Sequence, residues 1–348
     1  MNIKNTIITI IILFSFLVAI SILLGREKID SESNGKDDRT VEMKEEPNQA
    51  EIEKSDIDIH PMDLEMLSQK EYPGGDLVVE QALENGTNYR QYIVSYSSEG
   101  LKIYGLLTVP LSVKPQNGFP AVLFVHGYIP PKQYSTTGNY PTYQATLARS
   151  NVITFKPDLR GHGNSEGEPV SAHFSEKYLV DVMNAISYLK DYPDVDPGRI
   201  GYWGHSNGGE TGLRTLVISS DIKAASLWAG VVGSFEDELE TYNEKIPFMR
   251  NPEDNELVRK HGWPSENPQF WSKIDPYYHL DEISVPVQLH HGTADASVPI
   301  ELSRELKKAM EEAGKEVEMF EYPGDDHNIG ANSGLAWRRT INFFRDNL

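Results

Sequence analysis

The chain has no cysteine among its 348 residues. Disulfides, thiolate zinc sites and a lipid-attached cysteine are thereby excluded, and redox chemistry says nothing of the compartment. Basic residues are scarce: 32 Lys and Arg face 52 Asp and Glu, for a formal net charge of -20. Such a surface repels phosphates, so nucleic acid is not expected as a partner, although part of the excess lies in an N-terminal tail. The glycine-bracketed Arg160-Gly161-His162-Gly163 lacks both the GxGxxG pattern and the lysine of a P-loop, and it reads as a structural loop at a sheet edge. No cofactor and no metal site is expected.

Charge is also missing from Thr6 to Gly25, a run dominated by Ile, Leu, Val and Phe. As a helix rising about 1.5 Å per residue it spans about 30 Å, the thickness of a bilayer core. Residues 1–25 are therefore expected to form a single transmembrane anchor. A signal segment cleaved after Ala19-Ile20-Ser21 is the competing reading, since Lys4 gives it a basic start. Either reading favours an extracytoplasmic main domain, tethered in one case and secreted in the other, although Arg26, Lys28, Lys36 and Arg39 lie close beyond the apolar run. Residues 26–56 are rich in Glu, Lys, Asp and Ser without hydrophobic period, and are expected to be a disordered, extended linker.

The remainder, 57–348, has room for one large α/β domain. Ile57 to Glu84 is transitional, with turns at Pro61, Pro73, Gly74 and Gly75. Tyr89 to Tyr96 and Lys102 to Val109 read as an antiparallel hairpin. From Ala121 onward, short apolar runs alternate with helical patterns, which predicts a mostly parallel twisted sheet with helices on both faces. Leu179, Val180, Met183, Ile186 and Leu189 recur at helical spacing and are expected in the core. Residues of about 233–280, rich in aromatics among acidic residues, read as a small helical lid. Those aromatics either line a substrate pocket or pack the lid onto the domain.

Four segments carry chemistry. Gly204-His205-Ser206-Asn207-Gly208 follows the strand-like run Ile200 to Trp203 and opens a helix. This is the spacing of a nucleophile elbow, where small residues two positions either side of a serine allow the sharp turn. Ala121 to Val125 ends in His126-Gly127-Tyr128, where a backbone N–H can face a developing oxyanion. Val285 to Leu289 leads into His291-Gly292-Thr293-Ala294-Asp295, presenting Asp295 before a helix near Pro299. Val317 to Tyr322 leads into Pro323-Gly324-Asp325-Asp326-His327. Ser206 is thus the candidate nucleophile, Asp295 the acid and His327 the base. The backbone N–H groups of Tyr128 and Asn207 are the candidate oxyanion donors. The order Ser, Asp, His is the one expected of an α/β-hydrolase. Asp295 competes with a simple helix-capping role and with Asp325 and Asp326, which are too close in sequence to His327 to reach its ring easily. His205 lies inside the elbow and is expected to point away from the nucleophile.

These strings, with Asp158-Leu159-Arg160-Gly161-His162-Gly163-Asn164-Ser165, make the chain from about Tyr72 onward resemble the catalytic domain of the prolyl oligopeptidase family and related dienelactone-hydrolase-like esterases. The resemblance implies an α/β-hydrolase fold with Ser206, Asp295 and His327 as its triad. One departure is His126, at about the position where prolyl oligopeptidases carry a tyrosine hydroxyl in the oxyanion hole. The other is the β-propeller, for which no repeats of blade length occur. The expected activity is hydrolysis of a small ester or peptide substrate through an acyl-enzyme. An acyltransferase or thioesterase using the same triad is the alternative, and a non-catalytic tethered binding protein a distant third.

Overall fold

A computed structural model describes residues 60–348. The expected anchor or signal at 1–25 and the linker at 26–56 lie outside the described residues. Among the described residues no helix is long and apolar enough to cross a membrane.

In chain order the elements are α1 (Leu64–Gln69), β1 (Val78–Ala82), β2 (Tyr89–Ser98), β3 (Leu101–Pro110), β4 (Phe119–Val125), α2 (Pro141–Ala148), β5 (Ile153–Pro157), α3 (Lys177–Asp191), β6 (Val195–His205), α4 (Asn207–Ile218) and β7 (Ile222–Trp228). Short 3-10 and π turns follow, then α5 (Glu256–His261), α6 (Pro268–Ile274), β8 (Val287–Gly292), α7 (Ile300–Glu312), β9 (Val317–Tyr322) and α8 (Ser333–Asn347). The sheet runs β1-β2-β3-β5-β4-β6-β7-β8-β9. Pairing is antiparallel from β1 through β3 to β5 and parallel from there to β9. Of the transitional segment, residues 60–84 contribute a short helix and an edge strand, and Ile222–Trp228 supplies a parallel strand that its small residues did not advertise.

The central strands are buried on both faces, which is why they read as unbroken apolar runs. Along β4, Ala121, Leu123 and Val125 join the larger core under α3 and α4, while Val122 and Phe124 join the core under α2 and α8. Two-residue alternation thus feeds two hydrophobic layers from one strand. On α3, Leu179, Val180, Met183, Ile186 and Leu189 are buried as their spacing predicts. The sequence Asp158 to Ser165 is the expected structural loop: buried Arg160 spans both carboxylate oxygens of Asp181, at 2.7 and 3.0 Å, and reaches Glu99.

This architecture puts the ends of β4, β6, β8 and β9 at one rim of the sheet. Every candidate residue sits in a segment that leaves that rim.

Candidate active site

Ser206 occupies the single residue between β6 and α4, with φ 56° and ψ -119°. A side-chain-bearing residue held there stores on the order of 1–3 kcal/mol of strain and persists only where its surroundings over-determine it. They do so here. Ser206 N–H donates to Trp228 O at 2.9 Å, and Ser206 O accepts from Gly209 and Val231. The flanking glycines have a measurable reason: a Cβ on Gly204 would stand 2.2 Å from Gly208 O, and one on Gly208 would stand 2.2 Å from Val125 O. Strand, turn and helix are pressed together so closely that neither position admits alanine.

His327 and Asp295 are joined by a 2.7 Å bond from Nδ1 to Oδ2. Because the carboxylate can only accept, Nδ1 carries the proton and Nε2 is left with its lone pair, the tautomer a base requires. The same Oδ2 accepts from His291 Nε2 at 3.1 Å, and Oδ1 accepts from Ser297 and Val298 N–H at 2.8 and 3.0 Å. Burial alone would raise the Asp295 pKa, but the bonds from His291, His327 and the backbone outweigh it and hold the carboxyl well below the usual range. Asp295 therefore does shape the turn before α7, with one oxygen, while the other faces His327.

Asp325 and Asp326 are spent on backbone. Asp325 accepts from Ala331 N–H, Asn332 N–H and the Asn332 amide, and Asp326 Oδ1 accepts from Asn328 and Gly330. The loops bearing Asp295 and His327 approach because Gly292 lacks a side chain: a Cβ there would lie 2.4 Å from the carbonyl oxygens of both Asp325 and Asp326. Ala294 N–H to Asp325 O, 2.9 Å, then ties the two loops together.

Two residues that sequence reasoning left without a role belong to this constellation. His291 is fully buried, takes a bond from Ser303 Oγ at Nδ1 and donates from Nε2 to Asp295 and to Val298 O. Its place four residues before Asp295 was the available signal. His205 does not simply point away: its ring lies 4.7 Å from that of His327, centroid to centroid, and its Nε2 meets His327 O at 3.0 Å.

Ser206 and His327 line two clefts in common. One, of about 550 Å³, is walled mainly by Val125, Leu159, Val170, Ala172, Phe248 and Val298. The other, of about 430 Å³, is more open and bordered by Asn139, Tyr140, Thr142, Tyr143 and Asn328. Tyr128 borders both, and Asn207 the first. His126 departs from the tyrosine expected of prolyl oligopeptidases and turns inward, its ring nitrogens facing Gly127 O and Asp158 O at 2.7 and 3.2 Å.

The family model for the prolyl oligopeptidase family matches residues 139–348. That is more than half of the chain, and it decides the matter. The chain belongs to the prolyl oligopeptidase family. It is a serine hydrolase. An uncharacterized peptidase, YtmA of Bacillus subtilis (strain 168), is 29% identical over 241 residues, covering 68% of this chain and 86% of that one. Among solved structures, an acetyl xylan esterase from Paenibacillus sp. R4 superposes with a TM-score of 0.63 at 16% identity, covering 82% of this chain and 92% of that one. The Pyrococcus horikoshii acylaminoacyl peptidase gives 0.57 at 19% identity, covering 74% of this chain and 42% of that one. The chain thus spans less than half of that peptidase, and these two likenesses speak to the α/β-hydrolase fold alone.

In this member of the prolyl oligopeptidase family the lid is a set of short helices and turns packed on a core of its own. Phe235, Leu239, Ile246, Met249 and Trp271 are buried with Val298 and Leu302. Most lid aromatics therefore fix the lid to the domain, and Phe248 is the one that lines the apolar cleft. A buried polar cluster beneath adds to the anchorage. Arg214 bonds Glu210 at 2.7 Å and the His173 carbonyl, the His173 ring contacts Glu238, and Glu238 accepts from Gly233 N–H. Asp275 accepts from Phe235 and Tyr277 N–H, both at 2.9 Å.

Burial pushes the Asp275 carboxyl up to about 7 against the pull of those two backbone bonds. Between about pH 4 and pH 7 the folded protein holds a proton that the unfolded chain has released. Stability from this group is accordingly full below its unfolded pKa and lost as pH rises through about 7. Glu238 and Glu210, both raised chiefly by burial, act in the same direction. Below about pH 6.5 the buried histidines whose pKa burial lowers, His126, His162, His173, His205 and His290, act in the opposite direction in wild type and variant alike. Asp275 is therefore read from the difference: Asp275→Asn is expected to melt below wild type at pH 5 and to close part of that gap by pH 8. A gap of the same size at both pH values would remove Asp275 from this account.

Proposed function

We propose that the chain hydrolyses ester or amide bonds through an acyl-enzyme formed on Ser206. Neutral His327 takes the hydroxyl proton through Nε2 as Oγ attacks the acyl carbon. Asp295 holds the ring in that tautomer and stabilises the imidazolium, and His327 then protonates the departing alcohol or amine before activating water. The N–H groups of Tyr128 and Asn207 bind the oxyanion, where one donor is worth about 3 kcal/mol. The observation that carries this reading is the 2.7 Å bond between His327 and Asp295, in a loop that shares both clefts with a conformationally strained serine.

The two clefts divide the substrate. The apolar one suits a compact aliphatic or aromatic acyl group closed over by Phe248, and the open polar one suits a hydroxyl- or amide-bearing leaving group. The same fold carries a peptidase in one structural neighbour and an esterase in another, and the proposal covers both amide and ester bonds. A rapid-mixing experiment with a short-chain p-nitrophenyl ester tests the intermediate. A burst of p-nitrophenol equal to the enzyme concentration, followed by a slower steady state, is expected wherever deacylation limits. Activity that shows no burst with any acyl chain, and no partition of the acyl group to added alcohols, would remove the covalent intermediate.

A further inference from the structure

One chain of polar contacts crosses the site without entering the proton relay. Gly127 N–H donates to Tyr140 Oη at 3.1 Å, Tyr140 Oη lies 2.8 Å from His205 Nδ1, and His205 Nε2 lies 3.0 Å from His327 O. The protons can be placed. A carbonyl only accepts, so His205 Nε2 carries the hydrogen and Nδ1 accepts. Tyr140, already accepting from Gly127, must then donate to Nδ1. Burial, with the nearby His327, pushes the His205 pKa down to about 3, which keeps the ring in this neutral form.

The chain joins the three segments that must be in register for the reaction: the loop bearing Tyr128, the elbow bearing Ser206 and the loop bearing His327. It also accounts for a strained residue. Tyr140 stands at φ 57°, ψ 28° just before α2. Buried Lys156, at the end of β5, holds the approach to it by donating to Thr136 O and Asn139 O, while Asp158 accepts from Tyr134 and Thr136. Loop 134–140 is thereby pinned from below, and the Tyr140 hydroxyl is delivered to a point 3.0 Å from where a Gly127 Cβ would sit. The hydrogen bond to Tyr140 takes up the Gly127 N–H, which leaves the following amide, that of Tyr128, for the oxyanion.

We propose that Tyr140 and His205 are positioning residues that set the oxyanion loop and the His327 loop relative to Ser206. This rests on the triad reading above. The test measures kcat and KM per active site, with sites titrated by a fluorophosphonate so that misfolded protein is not counted. Tyr140→Phe retains the ring and loses the hydroxyl, and kcat per titrated site is expected to fall about tenfold or more with KM within about twofold. His205→Gln keeps an N–H able to reach the His327 carbonyl and is expected to retain several times the kcat of His205→Leu. A Tyr140→Phe enzyme with a lowered melting temperature or titre but wild-type kcat per site would overturn the proposal, as would His205→Gln and His205→Leu of equal kcat. Ser206→Ala is the control that separates the two readings. If it is inactive while Tyr140→Phe is normal, the positioning role alone fails; if it stays active, the triad reading fails with it.

Discussion

Ser206→Ala is expected to lower kcat for a short-chain p-nitrophenyl ester by about 10⁶-fold, with little change in KM. The size follows from role: without Oγ no acyl-enzyme forms, and the oxyanion donors and clefts are left to assist water alone. The fold is expected to survive. Alanine carries the same Cβ through the φ 56° turn, and the bonds that fix that turn come from the Ser206 backbone. Circular dichroism and the melting temperature check this alongside the kinetics. A folded variant with wild-type turnover would move the nucleophile elsewhere.

Asp295→Asn is expected to cost about 10⁴-fold in kcat. The hydrogen-bond pattern says why the substitution is not conservative. The Ser297 and Val298 N–H groups demand an acceptor at the Oδ1 position, so the asparagine carbonyl must stay there and its NH₂ must face His327 and His291. His327 Nδ1 then has to accept, its proton moves to Nε2, and the ring can no longer take a proton from serine. Asp326→Asn meets no such conflict. Its Oδ1 already serves both Asn328 and Gly330, an amide oxygen can do the same, and a loss of less than about tenfold is expected. The reverse ranking would transfer the acid role to Asp326.

The fold and the site were legible to different depths. Fully buried parallel strands leave unbroken apolar runs, so β4, β5 and β8 could be read to within a few residues, and β6 by its buried second half; β9, a half-exposed edge strand with Glu318 and Glu321, showed through its alternation instead. By contrast β7 is rich in small residues and β1 is exposed along its whole length, and neither has the apolar density or alternation that marks a strand. The elbow was readable because its glycines keep a fixed spacing about the serine, Gly204 answering to Gly208 O within the motif, although Gly208 answers to Val125 O on the neighbouring strand. The candidate acid and base were readable because each follows closely on a strand, Asp295 on buried β8 and His327 on edge strand β9.

His291, His205 and Tyr140 were another matter. Their contributions depend on where loops 205, 291 and 327 cross in space, and the decisive close approach, Gly292 against the carbonyls of Asp325 and Asp326, is between segments over thirty residues apart. The lid falls between these cases. Its existence showed in composition, but which aromatic reaches the cleft was settled by packing, with Phe248 left there once its neighbours had filled the core beneath.

Wild type and both variants meet in one measurement, the rate and site of phosphonylation by a fluorophosphonate followed by tandem mass spectrometry. The account predicts a single adduct on Ser206 in the wild-type protein, formation slowed by orders of magnitude in Asp295→Asn, and none in Ser206→Ala. An adduct on another residue, or labelling of Asp295→Asn at the wild-type rate, would contradict it.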